Sequence, residues 1–132
     1  MKTVVVPVVD SAAGREAIEL AKEEAKPDGQ LVLVGTAVVD DHLLDNVEAV
    51  KAFLEKLEKE LAEDGVQCRS EWRVGESLGE ATLIVAEELE ADLIVTSLRR
   101  RTPLGKALLG SFEQEILLDA KCLVLCVPAG IA

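Results

Sequence analysis

The sequence predicts an α/β protein built on a parallel sheet with helices on both faces. Three observations point there. Short apolar runs and amphipathic stretches alternate strictly from end to end, in the order β-α-β-α-β-α-β-α-β. The runs are near-continuous and rich in β-branched residues, the pattern of strands buried on both faces. Capping or breaking residues mark the boundaries between them. Alternating elements with helical crossovers imply right-handed β-α-β units.

Thr3 to Val9 is the first strand. Asp10 or Ser11 then caps a helix whose Ala17, Ile18, Ala21 and Ala25 fall at helical spacing. Pro27 and Gly29 stop that helix. Leu31 to Val39 is the second strand, and "DDHLLDN" reads as a loop. A long amphipathic helix is expected from about Asn46 to Glu63, with Val47, Val50, Phe53, Leu54, Leu57 and Leu61 as its apolar stripe. Asp64 and Gly65 end it. In Val66 to Val74 the residues Val66, Cys68, Ser70 and Trp72 alternate with Gln67, Arg69, Glu71 and Arg73, which marks a half-exposed strand at or near a sheet edge. Ser77 to Glu80 reads as a capping box, and its helix carries Ala81, Ile84, Val85 and Leu89. "LIVTS" is the fourth strand. A basic loop follows, then a second capping box at Ser111 to Gln114 whose helix carries Phe112, Ile116 and Leu117. Cys122 to Val127 is the last strand.

A chain of 132 residues that is 49% hydrophobic suits one domain with one core, here residues 1–132. The sequence has no apolar run long enough to span a membrane and no convincing signal peptide, so a cytoplasmic location is expected. A net charge of −11 and only three aromatic residues, Phe53, Trp72 and Phe112, argue against nucleic-acid binding. Cys68, Cys122 and Cys126 lack metal-ligand spacing and are expected to be reduced thiols. The single histidine, His42, supports no Ser-His-Asp or Cys-His arrangement, so no catalytic residue and no protein-held metal is expected.

One segment stands out electrostatically. Between Leu98 and Phe112 the acidic chain carries Arg99, Arg100, Arg101 and Lys106 and no acidic residue. This loop leaves the fourth strand, and ligand crevices in parallel sheets lie outside the carboxyl ends of the strands. Gly110-Ser111 then opens a helix, whose free N–H groups and dipole suit a phosphate-sized anion. Ser111 also suits simple helix capping. Neither a G-x-G-x-x-G fingerprint nor a P-loop is present.

The stretches "RVGESLGEATLIVAEELEADLIVTS", "LLGSFEQEILLDAKCLVLCVP" and the opening "VVVPVVDSAAGREAIELA" resemble the universal stress protein family across nearly the whole chain. The resemblance implies a Rossmann-like, adenine-nucleotide-hydrolase-like sheet of five parallel strands in the order 3-2-1-4-5. It also implies a homodimer through the last strand, with Leu123, Val124, Leu125, Cys126 and Val127 at the interface. Many members of the family bind ATP through G-x2-G-x9-G-(S/T). In this sequence the final pair is Gly110-Ser111, while the two earlier glycine positions fall on Ser97 and Arg100. The family's nucleotide-contacting aspartate falls on Val9, one place before Asp10. The implied site places phosphates near Ser97, Arg100, Gly110, Ser111 and Phe112. The base would lie near Pro7 and the end of the second strand, Asp10 nearby, with ATP and Mg2+ as ligand. Two functions stand open on this reading. One is a dimeric, cytoplasmic, nucleotide-binding regulatory module of the stress response. The other is a protein-interaction module of the same fold that takes no nucleotide. Neither is expected to be an enzyme; a nucleotide hydrolase or transferase on the same fold is the remaining reading, for which the sequence supplies no obvious general base.

Overall fold

The structure is a computed structural model that describes residues 2–9, 11–37, 43–74, 76–97, 100–101, 107–108 and 111–127. Of residues 43–46, 100–101, 107–108 and 111–112 only the backbone is described.

The β-branched opening forms β1 (Thr3–Pro7), buried at every position. It lies at the centre of a five-stranded parallel sheet, paired with β2 (Gln30–Ala37) on one side and β4 (Leu93–Ser97) on the other. The outer strands are β3 (Gln67–Val74), against β2, and β7 (Leu123–Val127), against β4. The sheet order is therefore β3-β2-β1-β4-β7. Counting sheet strands only, this is the expected 3-2-1-4-5 winding. Strand alternation divides the core into two layers. Val4, Val6, Leu31, Leu33, Leu93 and Val95 pack under α1 (Ala12–Ala25) and α2 (Leu43–Glu63), while Val5, Val32, Val34 and Ile94 pack under α3 (Leu78–Glu88) and α4 (Ser111–Asp119).

Each helix shows how its ends are specified. Helix α1 (Ala12–Ala25) is capped by Ser11, whose Oγ accepts from the Gly14 N–H at 3.0 Å. Gly14 has no space for a side chain, since a Cβ there would lie 2.0 Å from the Val9 carbonyl oxygen. The glycine lets the helix sit directly on the end of the first strand. Helix α2 (Leu43–Glu63) begins three residues before the expected Asn46. Leu43, Leu44 and Asp45 contain no helix breaker, and leucine is a strong helix former, so the helix absorbs them. It ends in a Schellman motif: Val66 N–H donates to the Leu61 carbonyl at 3.1 Å and Gly65 N–H to Ala62 at 3.0 Å, with Gly65 at φ +80°.

Helix α3 (Leu78–Glu88) is capped by Ser77, whose Oγ accepts from Glu80 N–H at 3.1 Å. The return bond of the expected capping box is not among the contacts of the described residues; Ser77 Oγ instead donates to Glu115 on α4, at 3.3 Å. The start of β4 is tied to the start of β1 in both directions: Thr3 N–H donates to Asp92 Oδ2 at 2.8 Å and Asp92 N–H to the Thr3 carbonyl at 2.9 Å. The basic segment, expected to be a plain loop, contains a small antiparallel ladder of β5 (Arg100–Arg101) with β6 (Ala107–Leu108). Helix α4 (Ser111–Asp119) buries Ile116. Leu117, expected on its inner face, is 40% exposed and Leu118 81%. In a nine-residue helix lying over the sheet margin, only one narrow face finds a partner. Among the described residues, no helix is long and apolar enough to cross a membrane.

Candidate functional site

The winding reverses between β1 and β4, so the crevice belongs at their carboxyl ends. An apolar cleft of about 240 Å³ opens on the β2 side of that point, at the carboxyl ends of β1 and β2. Its lining comes from Val8, after β1; Gly35 and Thr36, at the end of β2; Val50 and Phe53 of α2; and Leu78, the first residue of α3. The floor depends on Gly35. A Cβ there would lie 3.1 Å from Val50 Cγ1 and 3.2 Å from Leu54 Cδ1, so α2 lies close over this strand.

Pro7 ends β1 with its side chain buried. The next residues stay on the sheet, where Val8 N–H donates to the Val34 carbonyl at 2.8 Å. Val9, at the family's aspartate position, uses its carbonyl to accept from Ser11 N–H at 2.9 Å. Asp10 and Gly110 lie outside the described residues, as does His42 with residues 38–41 before it. Ser97 ends β4 and is 6% exposed. Arg100 stands in β5, its partner in the ladder being Leu108. A strand residue thus occupies a glycine position of the motif. Ser111 and Phe112 form the first turn of α4 with Glu113.

Sequence reasoning placed the base near Pro7 and the end of the second strand, and Gly35 and Thr36 are that strand end. It missed Phe53 and Leu78 as cleft residues, because an apolar stripe and a helix start carry no signal of a hole. Gly35 did carry one, since a glycine inside a strand often marks close approach of another element. Glu113 was read only as part of a capping box. It is fully buried, and neither carboxylate oxygen has a hydrogen-bond partner among the described residues.

Among the described residues, no group of three His, Cys, Asp or Glu side chains could hold a metal ion. Mg2+ keeps several waters and is commonly held by one or two carboxylates together with substrate phosphates. All three thiols are free, and burial pushes each one up, Cys68 to about 12. A raised thiol is a poor nucleophile.

Comparison with known proteins adds a common ancestry to this geometry. The sequence model described as "Universal stress protein family" matches residues 1–128. The chain is 35% identical over 114 residues to a universal stress protein of Mycolicibacterium smegmatis, covering 86% of this chain and 88% of that one. Its fold is similar to that of a universal stress protein from Archaeoglobus fulgidus, with TM-score 0.83, 23% identity, and coverage of 96% and 98%. The structure described as the universal stress protein from Archaeoglobus fulgidus in complex with dAMP is similar at TM-score 0.75 and 19% identity, again covering 96% and 98%.

Proposed function

This chain belongs to the universal stress protein family, and on that premise we propose that it is a small dimeric regulatory module of the stress response that binds an adenine nucleotide. The observation that carries this reading is the apolar cleft at the carboxyl edge of the sheet, lined by Val8, Gly35, Thr36, Val50 and Phe53. Its volume suits a base, while the sugar and phosphates would extend over the edge toward the first turn of α4. The dAMP complex of the structurally similar protein supports the same class of ligand. Pro7 and Asp10 would flank the base and ribose. Ser97, Arg100, Gly110, Ser111 and Phe112 would surround the phosphates, with Mg2+ carried on them. The protein works by binding rather than by catalysis, in the cytoplasm, as one domain over residues 1–132.

The homodimer would form through β7, where Leu123 and Leu125 are 75% and 37% exposed on an edge strand. Val124, Cys126 and Val127 complete that strand. An apolar edge of this kind invites pairing with a second copy.

The alternative, an interaction module without nucleotide, is favoured by Arg100, which lies in an extended ladder where the binding motif has a glycine turn. Calorimetric titration with AMP and with ATP–Mg2+ decides between them. The nucleotide reading expects saturable binding that Gly110→Asp abolishes. Absence of binding at millimolar nucleotide would establish the alternative.

A further inference from the structure

A second and larger cavity, of about 660 Å³, opens at the amino edge of the sheet, away from the cleft at the carboxyl edge. It lies where α3 and α4 both end, just before β4 and β7 begin. Glu87 and Glu90 come to it from the end of α3, Asp119 and Lys121 from the end of α4. Its base is apolar. Ile94 of β4, fully buried, lines it together with Ala86, Ala91 and Ala120. The three alanines are what leave the space open, since larger side chains at two meeting helix ends would fill it. A volume on this scale is that of a small-molecule site.

The charge around this cavity is negative and incompletely balanced. Lys121 Nζ pairs with Glu87 Oε1 at 2.9 Å, which accounts for one carboxylate. Glu90 and Asp119 also line the cavity and form no ion pair among the described residues. Neither α3 nor α4 has a basic residue in its last turn, so both helices present their partial negative ends here without compensation of their own. An acidic side chain at such an end is unfavourable, and Glu90 and Asp119 both occupy one. The negative potential reaches the cavity wall. Cys122 lines it, and its thiol is pushed up first by burial and then by the charge of Asp92, a carboxylate fixed by the Thr3 N–H at 2.8 Å.

An apolar base under two unbalanced carboxylates repels anions and suits an organic cation. A bare metal ion fits poorly, because among the described residues no three His, Cys, Asp or Glu side chains converge to hold one. We propose that this cavity binds a small aliphatic diamine. Its methylene chain lies on Ile94 and the three alanines, and its two ammonium groups stand at Glu90 and Asp119. Two positive charges match the two unpaired carboxylates, and each methylene taken fully out of water adds up to about fourfold in affinity. The site is separate from the nucleotide cleft and does not depend on that reading.

The test is calorimetric titration of the whole chain with cadaverine, a five-carbon diamine, with NMR following the amides of Ala86, Ala91 and Ala120. Wild type is compared with the double variant Glu90→Gln, Asp119→Asn. A second double variant, Glu55→Gln, Glu63→Gln, removes the same charge from α2, which packs on the other face of the sheet. Circular dichroism confirms that each is folded, and removing acids from two helix ends relieves rather than disrupts them. Wild type should bind cadaverine saturably, with shifts at the three alanines. The site variant should bind it about fivefold or more weakly, and the α2 variant as wild type does. Pentylamine, with the chain but one charge, and Mg2+, with the charge but no chain, should each bind more weakly than cadaverine. Absence of saturable binding would overturn the proposal. So would equal losses in the two double variants, or Mg2+ binding as well as cadaverine, since either marks a diffuse acidic surface. A lysine-rich peptide that binds more tightly than cadaverine, and is lost in the site variant, would overturn it in favour of a protein partner.

Discussion

Replacing Leu123 by lysine tests the proposed dimer most directly. Leu123 is 75% exposed in the single chain, so it does little for the fold and has much to gain from a partner. Fully burying a leucine is worth about 1.5–3 kcal/mol. Three-quarters of that is roughly 1–2 kcal/mol for each copy, and a two-fold interface counts it twice, giving about 2–4 kcal/mol per dimer. The dissociation constant should therefore rise by a factor of about 30 to 1,000 in Leu123→Lys. Like charges facing each other across the axis would add to that. Sedimentation velocity over a micromolar dilution series measures the effect. The stability of the isolated chain, read by urea unfolding below the dissociation constant, should stay within about 0.5 kcal/mol because the position is largely solvated. A wild-type monomer at tens of micromolar would refute the β7 assembly. So would a variant that dimerises as tightly as the parent.

Three further outcomes follow from particular residues. Glu90 occupies the position after α3 that Gly65 occupies after α2: Ala91 N–H donates to the Ala86 carbonyl at 2.9 Å and Glu90 N–H to Glu87 at 3.2 Å, with Glu90 at φ 51°. Left-handed backbone costs an L-residue about 1–2 kcal/mol, partly offset by glycine's greater freedom when unfolded, so Glu90→Gly should stabilise the protein by about 0.5–1 kcal/mol in urea titration. Gly35→Val fills the cleft floor beside Val50 and Leu54; adenosine binding should be lost in calorimetry, with a stability cost of about 1–3 kcal/mol. Burial, then the charge of Glu58, pushes the Cys68 thiol up to about 12 from 9.0. The folded state thus holds its proton where the unfolded chain releases it. That stabilisation is complete below pH 9 and falls as pH rises toward 12. Cys68→Ala should flatten this alkaline loss relative to wild type, and alkylation of Cys68 at neutral pH should be slow.

What could be read from the sequence was whatever depends on near neighbours in the chain. The first strand, read as Thr3 to Val9 and ending at Pro7, the serine caps at Ser11 and Ser77, and the glycine stop at Gly65 are local events, and each is present. The misses arise where several segments meet. Leu117 has the right period for a core position, yet the sheet ends before it can be covered, and it stays 40% exposed. Leu43 to Asp45 looked like loop because acidic neighbours and His42 surround them. The cleft gathers Val8, Gly35, Phe53 and Leu78 from three separate crossovers, and no spacing along the chain announces that meeting. Glu113 sits in a polar-looking "SFEQE" turn, where only the packed structure reveals a buried carboxylate. The family resemblance carried what local physics could not, namely the strand order.

The two sheet edges show why assembly should stop at two copies. On β3, Arg69 and Arg73 both pair with Glu71, Arg73 reaches Glu88 of α3 at 3.4 Å, and Lys51 of α2 lies 5.6 Å from the Trp72 ring centre. The Arg69 guanidinium, with Arg73, holds the Glu71 carboxyl below the usual carboxylate range. Adding a strand there would disturb or desolvate these charges, so β3 resists pairing. On β7 the counterparts are leucines, at Leu123 and Leu125. A sheet with one guarded edge and one apolar edge cannot add copies end to end. Pairing β7 with β7 uses the same surface on both partners and closes the interface in one step. In the proposed dimer, the charges of β3 and the leucines of β7 would then act together, allowing β7 to pair once and barring growth into a fibre.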